Sequence, residues 1–460
     1  MDLQGYLDTL KSKTVAVLGI GVSNTPLVEL LCKNGVRVIA CDKKTRDKLG
    51  DTAQTLEKMG ATLRLGEDYL KDIDADVIFR TPGMRPDVPE LLAARRRGSV
   101  VTSEMQVFFE VCPCPIIAVT GSDGKTTTTT VISEFLRAAG NRVWLGGNLG
   151  HPLLSEADQI APTDYAVVEL SSFQLLDMTR SPHIAVLTNL APNHLDVHRD
   201  MEEYIAAKEN IFRHQCAEDI AIFNLDNDIT RSLSQQATSH VRLFSRKDEV
   251  DEGAFVRGGV ICIRRNGEER EVLPTSDIRI PGQHNVENYC AAISAVDGLV
   301  PDEVIRRVAG EFAGVEHRIE LVRERRGVRW YNDSIASSPT RTIAGLRSFP
   351  EKVILIAGGY DKHIPFAPLA PEIVEHVKLL ILCGATAQAI RAAVTGFDGY
   401  QGQPEMVECA TLQEAIELAA ERAVQGDVVT LSPACAAFDQ FANFMERGKA
   451  FKQMVNALPE

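Results

Sequence analysis

The sequence predicts an α/β protein of three consecutive domains: a Rossmann-like N-terminal unit over 1–102, a central P-loop ATPase-type unit over 103–314, and a Rossmann-like C-terminal unit over 315–460. Three observations carry this. Apolar β-type runs alternate with helical patterns along the chain, as in parallel sheets covered by helices. A chain of 460 residues exceeds what a single core fills. A glycine-rich turn at 120–127 joins an apolar run to a helical one, the local form of a phosphate-binding loop.

In the N-terminal unit, residues 14–19 and 36–41 read as strands around a helical stretch at 26–34, and 75–80 as a further strand. Gly19-Ile20-Gly21 ends the first strand, and Asp42 closes the second where a dinucleotide fold places its ribose-binding acid. Asn24 stands at the third glycine position, so classical NAD binding does not follow automatically.

The central unit opens near Ser103. Its apolar run 115–119 leads into Thr120-Gly121-Ser122-Asp123-Gly124-Lys125-Thr126-Thr127 and then a helix. Gly121 and Gly124 lack a Cβ, so backbone N–H groups can surround phosphate oxygens, and the helix N-terminus adds unpaired donors. Lys125 can reach the terminal phosphates and the Thr126 hydroxyl can ligate magnesium. Val119 stands where the full P-loop pattern has its first glycine. Strands are expected at 164–170, 183–190, 219–225 and 260–264, and a helix at 286–299. In the C-terminal unit, strands are expected at 353–357, 379–382 and 428–431, with a helix at 412–424. Its polar loops at 331–334, 358–362 and from 431 should gather on one edge.

Composition narrows the function. A net charge of −14 without a long basic run argues against a nucleic-acid partner, and Arg95-Arg96-Arg97 reads as a solvated helix end. Ten scattered cysteines without Cys-x-x-Cys pairs suit free thiols in a reducing compartment. No segment has the roughly 18 apolar residues of a membrane span, and residues 1–4 do not begin a secretory signal. A cytoplasmic protein without a membrane partner is expected.

Further polar residues sit where strands end. Glu169 closes an apolar run, and a glutamate there can ligate magnesium or cap a loop. His194 and His198 flank Asp196; zinc is disfavoured by Pro192, and a magnesium or substrate contact stands beside a plain polar turn. Lys208 lies in a helical pattern and, read alone, is an exposed helix lysine. Lys362 could bind a carboxylate or merely form a turn.

Taken together, residues 120–127, Glu169-Leu-Ser-Ser-Phe-Gln, Asn193-His194-Leu-Asp196, Gly282-Gln-His284-Asn285-Val-Glu-Asn288, His317-Arg318, Asn332-Asp333-Ser334 and Ser432-Pro-Ala-Cys resemble the Mur ligases, ATP-dependent amide ligases of peptidoglycan precursor synthesis. Chain length, Gly-Gly-Asn148-Leu-Gly and the 432–441 segment are similar to the branch that adds D-glutamate to UDP-N-acetylmuramoyl-L-alanine. The resemblance implies two Mg2+ ions and ATP as co-substrate. It places ATP on Gly121, Ser122, Asp123, Gly124, Lys125, Thr126, Thr127, Asn285, Asn288, Arg318 and Asp333. The UDP substrate would meet Val22, Ser23, Asp42, Lys43 and Asn148, and the amino acid Ser337, Lys362 and Phe444. Thr126 and Glu169 would share one magnesium, with His194 and a carbamylated Lys208 on the second. Lys125, His194 and Lys208 would be catalytic, in a monomer. Two departures are visible: Ile335 replaces the lysine of Asn-Asp-Ser-Lys, and Ala437 stands where many relatives have serine. A folylpolyglutamate synthetase, a nicotinamide-dependent oxidoreductase and a nucleotide sensor remain alternatives; the N-terminal unit argues against the first and the phosphate loop against the second.

Overall fold

The computed structural model describes residues 1–192, 197–362 and 364–459. Three sheets follow one another along the chain. The first has five parallel strands in the spatial order Thr62–Leu65, Arg37–Asp42, Thr14–Leu18, Val77–Phe79, Val100–Thr102. Chain direction across the sheet reverses between Thr14–Leu18 and Val77–Phe79, so a crevice opens beyond their carboxyl ends, the usual ligand position in such sheets. The helix Leu3–Leu10 precedes this sheet, with the Asp2 carboxylate accepting from Gly5 N at 2.8 Å as its N-cap.

The second sheet has nine strands, in the order Glu268–Pro274, Val260–Arg265, Gly253–Arg257, His240–Ser245, Ile220–Asn224, Ile184–Leu187, Ile116–Thr120, Tyr165–Glu169, Val143–Gly147. The last seven are parallel, and Val260–Arg265 is antiparallel to both neighbours. Ile116–Thr120 is buried throughout and lies between Ile184–Leu187 and Tyr165–Glu169. Its carboxyl end therefore meets the ends of both neighbours. The helix Lys125–Ala138 follows, and Phe135 meets Tyr289 of the helix Gln283–Val296 edge-on, with centroids 5.9 Å apart.

The third sheet has six strands, in the order Glu320–Arg325, Val328–Asn332, Val428–Leu431, Val353–Ala357, Val377–Cys383, Glu405–Cys409, with only the first pair antiparallel.

Two compact units result. Met1–Thr275 with Glu287–Val308 forms one, and Ser276–Val286 with Ala309–Glu460 the other. Inside the first, one apolar cluster joins Leu7, Leu27 and Leu31 to Met105, Leu153 and Leu154, so the first two sheets share a core. Leu18, Ile78 and Leu91 fill the opposite face of the first sheet. In the second unit, Leu355, Leu380 and Leu382 belong to one cluster and Ile354, Ile356 and Ile381 to another, because successive strand residues face opposite sides.

All ten cysteines are free, and Arg95 and Arg96 occupy the last turn of a helix, as expected. Among the described residues no helix is long and apolar enough to cross a membrane.

Candidate active site

The phosphate loop is built by close approach. Gly121 has φ +153° and Gly124 φ +77°; a Cβ would lie 1.9 Å from Thr188 Oγ1 at the first and 2.3 Å from Asn288 Oδ1 at the second, so a larger residue would have to displace those side chains. Chain leaving the neighbouring strand wraps the loop from one side. Asn189 O accepts from Ser122 N at 2.8 Å, Asn189 Oδ1 accepts from Asp123 N at 3.0 Å, and Thr188 Oγ1 donates to Asp123 O. Residues 188–190, expected to extend a strand, leave the sheet to make these bonds. Thr127 is buried in the first turn of the helix, and Thr128 Oγ1 donates to Asn288 Oδ1 at 3.3 Å.

Charged groups converge at the same point. Lys125 Nζ donates to Gly121 O and Ser122 O, each at 2.9 Å, which holds the ammonium over the loop. Thr126 Oγ1 donates to Glu169 Oε2 at 2.7 Å, and Asn148 Nδ2 donates to Glu169 Oε1 at 2.6 Å. Asn148, expected near the uridine nucleotide, is thus bonded to Glu169 at the loop. Gly147, with φ +84°, lets the chain pass close to the Glu169 backbone, where an added Cβ would lie 2.3 Å from Glu169 O.

Lys208 overturns the reading its surroundings in the sequence suggest. It is 1% exposed rather than on a solvated helix face. Its Nζ donates to Thr120 Oγ1 at 2.9 Å and lies 5.1 Å from the Tyr204 ring centroid. Burial, then the Lys125 charge, push its pKa well below the ordinary lysine value, with Glu169 opposing. Tyr204 in turn exchanges a hydrogen bond with Ser122 Oγ at 2.9 Å.

His194, with Asn193 and Asp196, lies outside the described residues. His198 is buried: its Nε2 is 2.9 Å from Ser172 Oγ, and its ring stacks on Phe173 at 5.3 Å. These contacts give it a packing role, leaving the magnesium or substrate reading to His194.

At the first sheet, Asp42 Oδ2 accepts from Ile20 N at 2.6 Å and Oδ1 from Lys44 N at 2.8 Å, so this acid organises the glycine turn. Lys43 and Val22 are exposed, and Ser23 is half-buried, next to the helix Asn24–Lys33. Asn24 is buried and donates to Leu18 O at 2.9 Å, a bond glycine could not make. The loop 81–84, which the sequence did not single out, borders the same crevice, with Thr81 Cβ 3.1 Å from where a Cβ on Gly19 would stand.

In the second unit, Asp333 Oδ2 accepts from Ser432 Oγ at 2.7 Å and Oδ1 from Ile319 N at 3.3 Å. Burial pushes its carboxyl up to about 7, against the pull of Ser432 and Arg318. Arg318 is half-buried, and its Nε has no hydrogen-bond partner among the described residues. Asn285 Nδ2 donates to Pro281 O at 2.6 Å. Lys362 Nζ donates to Ser337 O at 3.4 Å, which joins two residues expected at the amino-acid site. Phe444 meets the His317 ring edge-on at 5.9 Å, and its carbonyl accepts from Ser334 Oγ at 2.7 Å. The polar loops gather as expected: Tyr360 N donates to Ala436 O, and the buried Arg447 guanidinium bonds Ser334, Cys435 and Ala436. Where Ile335 withholds a side-chain cation, the exposed Arg341 donates to its carbonyl at 3.2 Å. That arginine belongs to none of the motifs read in the sequence, although it stands only 6 residues from Ile335.

A switch-point crevice, a glycine loop at a helix N-terminus and a lysine beside a Thr–Glu oxygen pair define a P-loop nucleotide-binding protein of multi-sheet α/β architecture. Family profiles described as "Mur ligase middle domain" and "Mur ligase, glutamate ligase domain" match residues 119–296 and 317–435. A protein of Acetivibrio thermocellus named UDP-N-acetylmuramoylalanine--D-glutamate ligase is 54% identical over 460 residues, covering 99% of each chain. One of that name from Clostridium beijerinckii is 50% identical, again covering 99% of each. The crystal structure of UDP-N-acetylmuramate-alanine ligase MurC from Thermotoga maritima has the same fold, with a TM-score of 0.59 at 18% identity over 97% of this chain and 99% of that one. The chain belongs to the Mur ligase family.

Proposed function

We propose that the protein is an ATP-dependent amide ligase that joins D-glutamate to the terminal carboxylate of UDP-N-acetylmuramoyl-L-alanine, in peptidoglycan precursor synthesis. The observation that carries it is the placement of Lys125, Thr126, Glu169 and the buried Lys208 around one glycine loop. The names of the full-length relatives support the choice of substrates.

Carboxylates are poor acylating agents, so the reaction begins with attack of the L-alanine carboxylate on the γ-phosphorus of ATP. ADP leaves and an acyl phosphate forms. The D-glutamate amine then attacks the acyl carbon, loses a proton, and the tetrahedral intermediate collapses to amide and inorganic phosphate. Backbone N–H groups of 121–126 would bind the phosphates, and Lys125 would neutralise charge on the transferring oxygens. The second unit would supply Lys362, Ser337 and Phe444 to the incoming amino acid, and Asn285, Arg318 and Asp333 to the nucleotide. Asn288 would reach the nucleotide from beside Gly124. Val22, Ser23, Asp42 and Lys43 would hold the uridine nucleotide.

The donor set suits magnesium. Thr126 and Glu169 offer hard oxygens 2.7 Å apart, the ligand type magnesium takes, and phosphate and water could complete its shell. Bound there, Mg2+ would supply charge neutralisation at the γ-phosphate, and a second ion would draw on His194 and Lys208. The lowered pKa of Lys208 favours its neutral amine, the form that adds CO2 to give a carbamate. Mass spectrometry and 13C NMR of protein held in 13C-labelled bicarbonate test that modification apart from activity.

The test of the reaction is phosphate release from ATP. It should require both the UDP-muramoyl acceptor and D-glutamate together. Release with neither, or with other amino acids equally well, would overturn the assignment.

A further inference from the structure

The strand Val77–Phe79 ends in Arg80, a residue that neither the P-loop nor the glycine turn calls for. Its side chain is wholly buried. Three of its bonds run to the loop that follows: Nη1 donates to Thr81 O at 3.4 Å, Pro82 O at 3.3 Å and Met84 O at 3.1 Å. The others leave the first sheet. Nε donates to Asp177 Oδ2 at 3.1 Å, Nη2 donates to Phe173 O at 3.1 Å, and Nη2 also pairs with Asp177 Oδ1.

Those partners lie in the segment that begins where the Glu169 strand ends. The turn starting at Ser171 is locked by a capping box with Gln174, and Ser172 and Phe173 hold His198. One planar fork therefore ties a loop bordering the crevice of the first sheet to the chain leaving the magnesium-ligand candidate of the second. Beside it, Arg85 bonds Glu203 at 2.7 and 2.8 Å and Val197 O at 2.9 Å, which braces the same loop to the start of the helix carrying Lys208. Burying a guanidinium is costly, and Asp177 offsets that cost only in this geometry.

We propose that Arg80 is a positioning residue: it sets loop 81–84, and with it the uridine-nucleotide substrate, at a defined reach from the phosphate loop. The inference rests on the function proposed above. A lysine has one donor head and cannot bond both the three loop carbonyls and Asp177 as this fork does.

Arg80→Lys, Arg80→Met and Asp177→Asn test it by steady-state phosphate release and by calorimetric binding of UDP-N-acetylmuramoyl-L-alanine. The Arg80 variants should raise KM and Kd for the uridine substrate roughly tenfold or more, the loss of a charged hydrogen bond, with less change in Arg80→Lys than in Arg80→Met. Affinity for a non-hydrolysable ATP analogue should stay within about twofold. An equal fall in kcat for every substrate with unchanged KM would reduce Arg80 to a structural brace and overturn the proposal. If neither Arg80 variant folds, Asp177→Asn decides, because it keeps the loop carbonyl bonds: a rise in uridine-substrate KM supports the proposal and an unchanged KM overturns it. Wild-type protein that binds the uridine nucleotide without turnover would sink the ligase reading alone, with Arg80→Lys still judged by its Kd. Wild-type protein that binds no uridine nucleotide would sink both.

Discussion

At Lys208 the chain buries an amine against a hydroxyl and an aromatic ring, in the field of a second lysine that Glu169 only partly opposes. Such an environment favours the neutral form and makes the residue reactive where an exposed lysine would be inert. Lys208→Arg, which keeps a cation but cannot be carbamylated, should lower kcat by about 10²-fold or more, the scale of losing one preorganised electrostatic group. Lys125→Ala should lose about 10²- to 10⁴-fold in phosphate release by the same reasoning. Arg341 stands differently. It is exposed, it bonds the carbonyl of the isoleucine found where a lysine was expected, and it lies at the amino-acid end of the proposed site. Arg341→Gln should raise KM for D-glutamate about tenfold, consistent with one lost charged contact, and leave KM for ATP unchanged. An unchanged D-glutamate KM would show that Arg341 is only a surface cation.

Elements differ in how openly they announce themselves. The phosphate loop was legible because its chemistry is local: glycines, a lysine and a threonine at fixed offsets between an apolar run and a helix. Gly124→Ala checks the tight fit, since φ +77° is strained for alanine and its Cβ would lie 2.3 Å from Asn288 Oδ1. A loss of about 1–3 kcal/mol in stability is expected from such strain, with weakened ATP-analogue binding, measured by thermal melting and calorimetry. The central strands at 116–120, 353–357 and 428–431 were equally visible, being continuous apolar runs buried on both faces. Thr62–Leu65, Val100–Thr102, Glu268–Pro274, Glu320–Arg325 and Glu405–Cys409 were not foreseen. They lie at or next to sheet edges, are short or charged, and are largely unburied, so their strand character comes from the neighbour they pair with.

Across the whole molecule, the three sheets group into two compact units, because the first two sheets share an apolar core and the Arg80 and Arg85 bridges. Each unit also carries a buried carboxyl whose proton affinity burial raises. Glu104, whose Oε1 accepts from Leu154 N at 2.9 Å, is pushed up to about 7 by burial, as is Asp333 in the other unit. A folded pKa above the unfolded value means the native state holds the extra proton. The resulting stability is full below about pH 4 and is lost as pH rises toward 7. Calorimetric unfolding should resolve two transitions. Glu104→Gln should flatten the pH dependence of one between pH 4 and 7, and Asp333→Asn that of the other. A single transition altered by both variants would contradict independent units.

What the amino-acid order determined by itself was the class of chemistry and the alternation of strand and helix, since both rest on interactions within a few residues. It even marked Ile335 and Ala437 as departures. What only the tertiary structure decided was the state of particular side chains: that Lys208 is buried, that Asn148 reaches Glu169, and that Arg80 binds two sheets together. Burial and charge partners are set by chain segments tens of residues away, and no local pattern records which of them will close over a given atom.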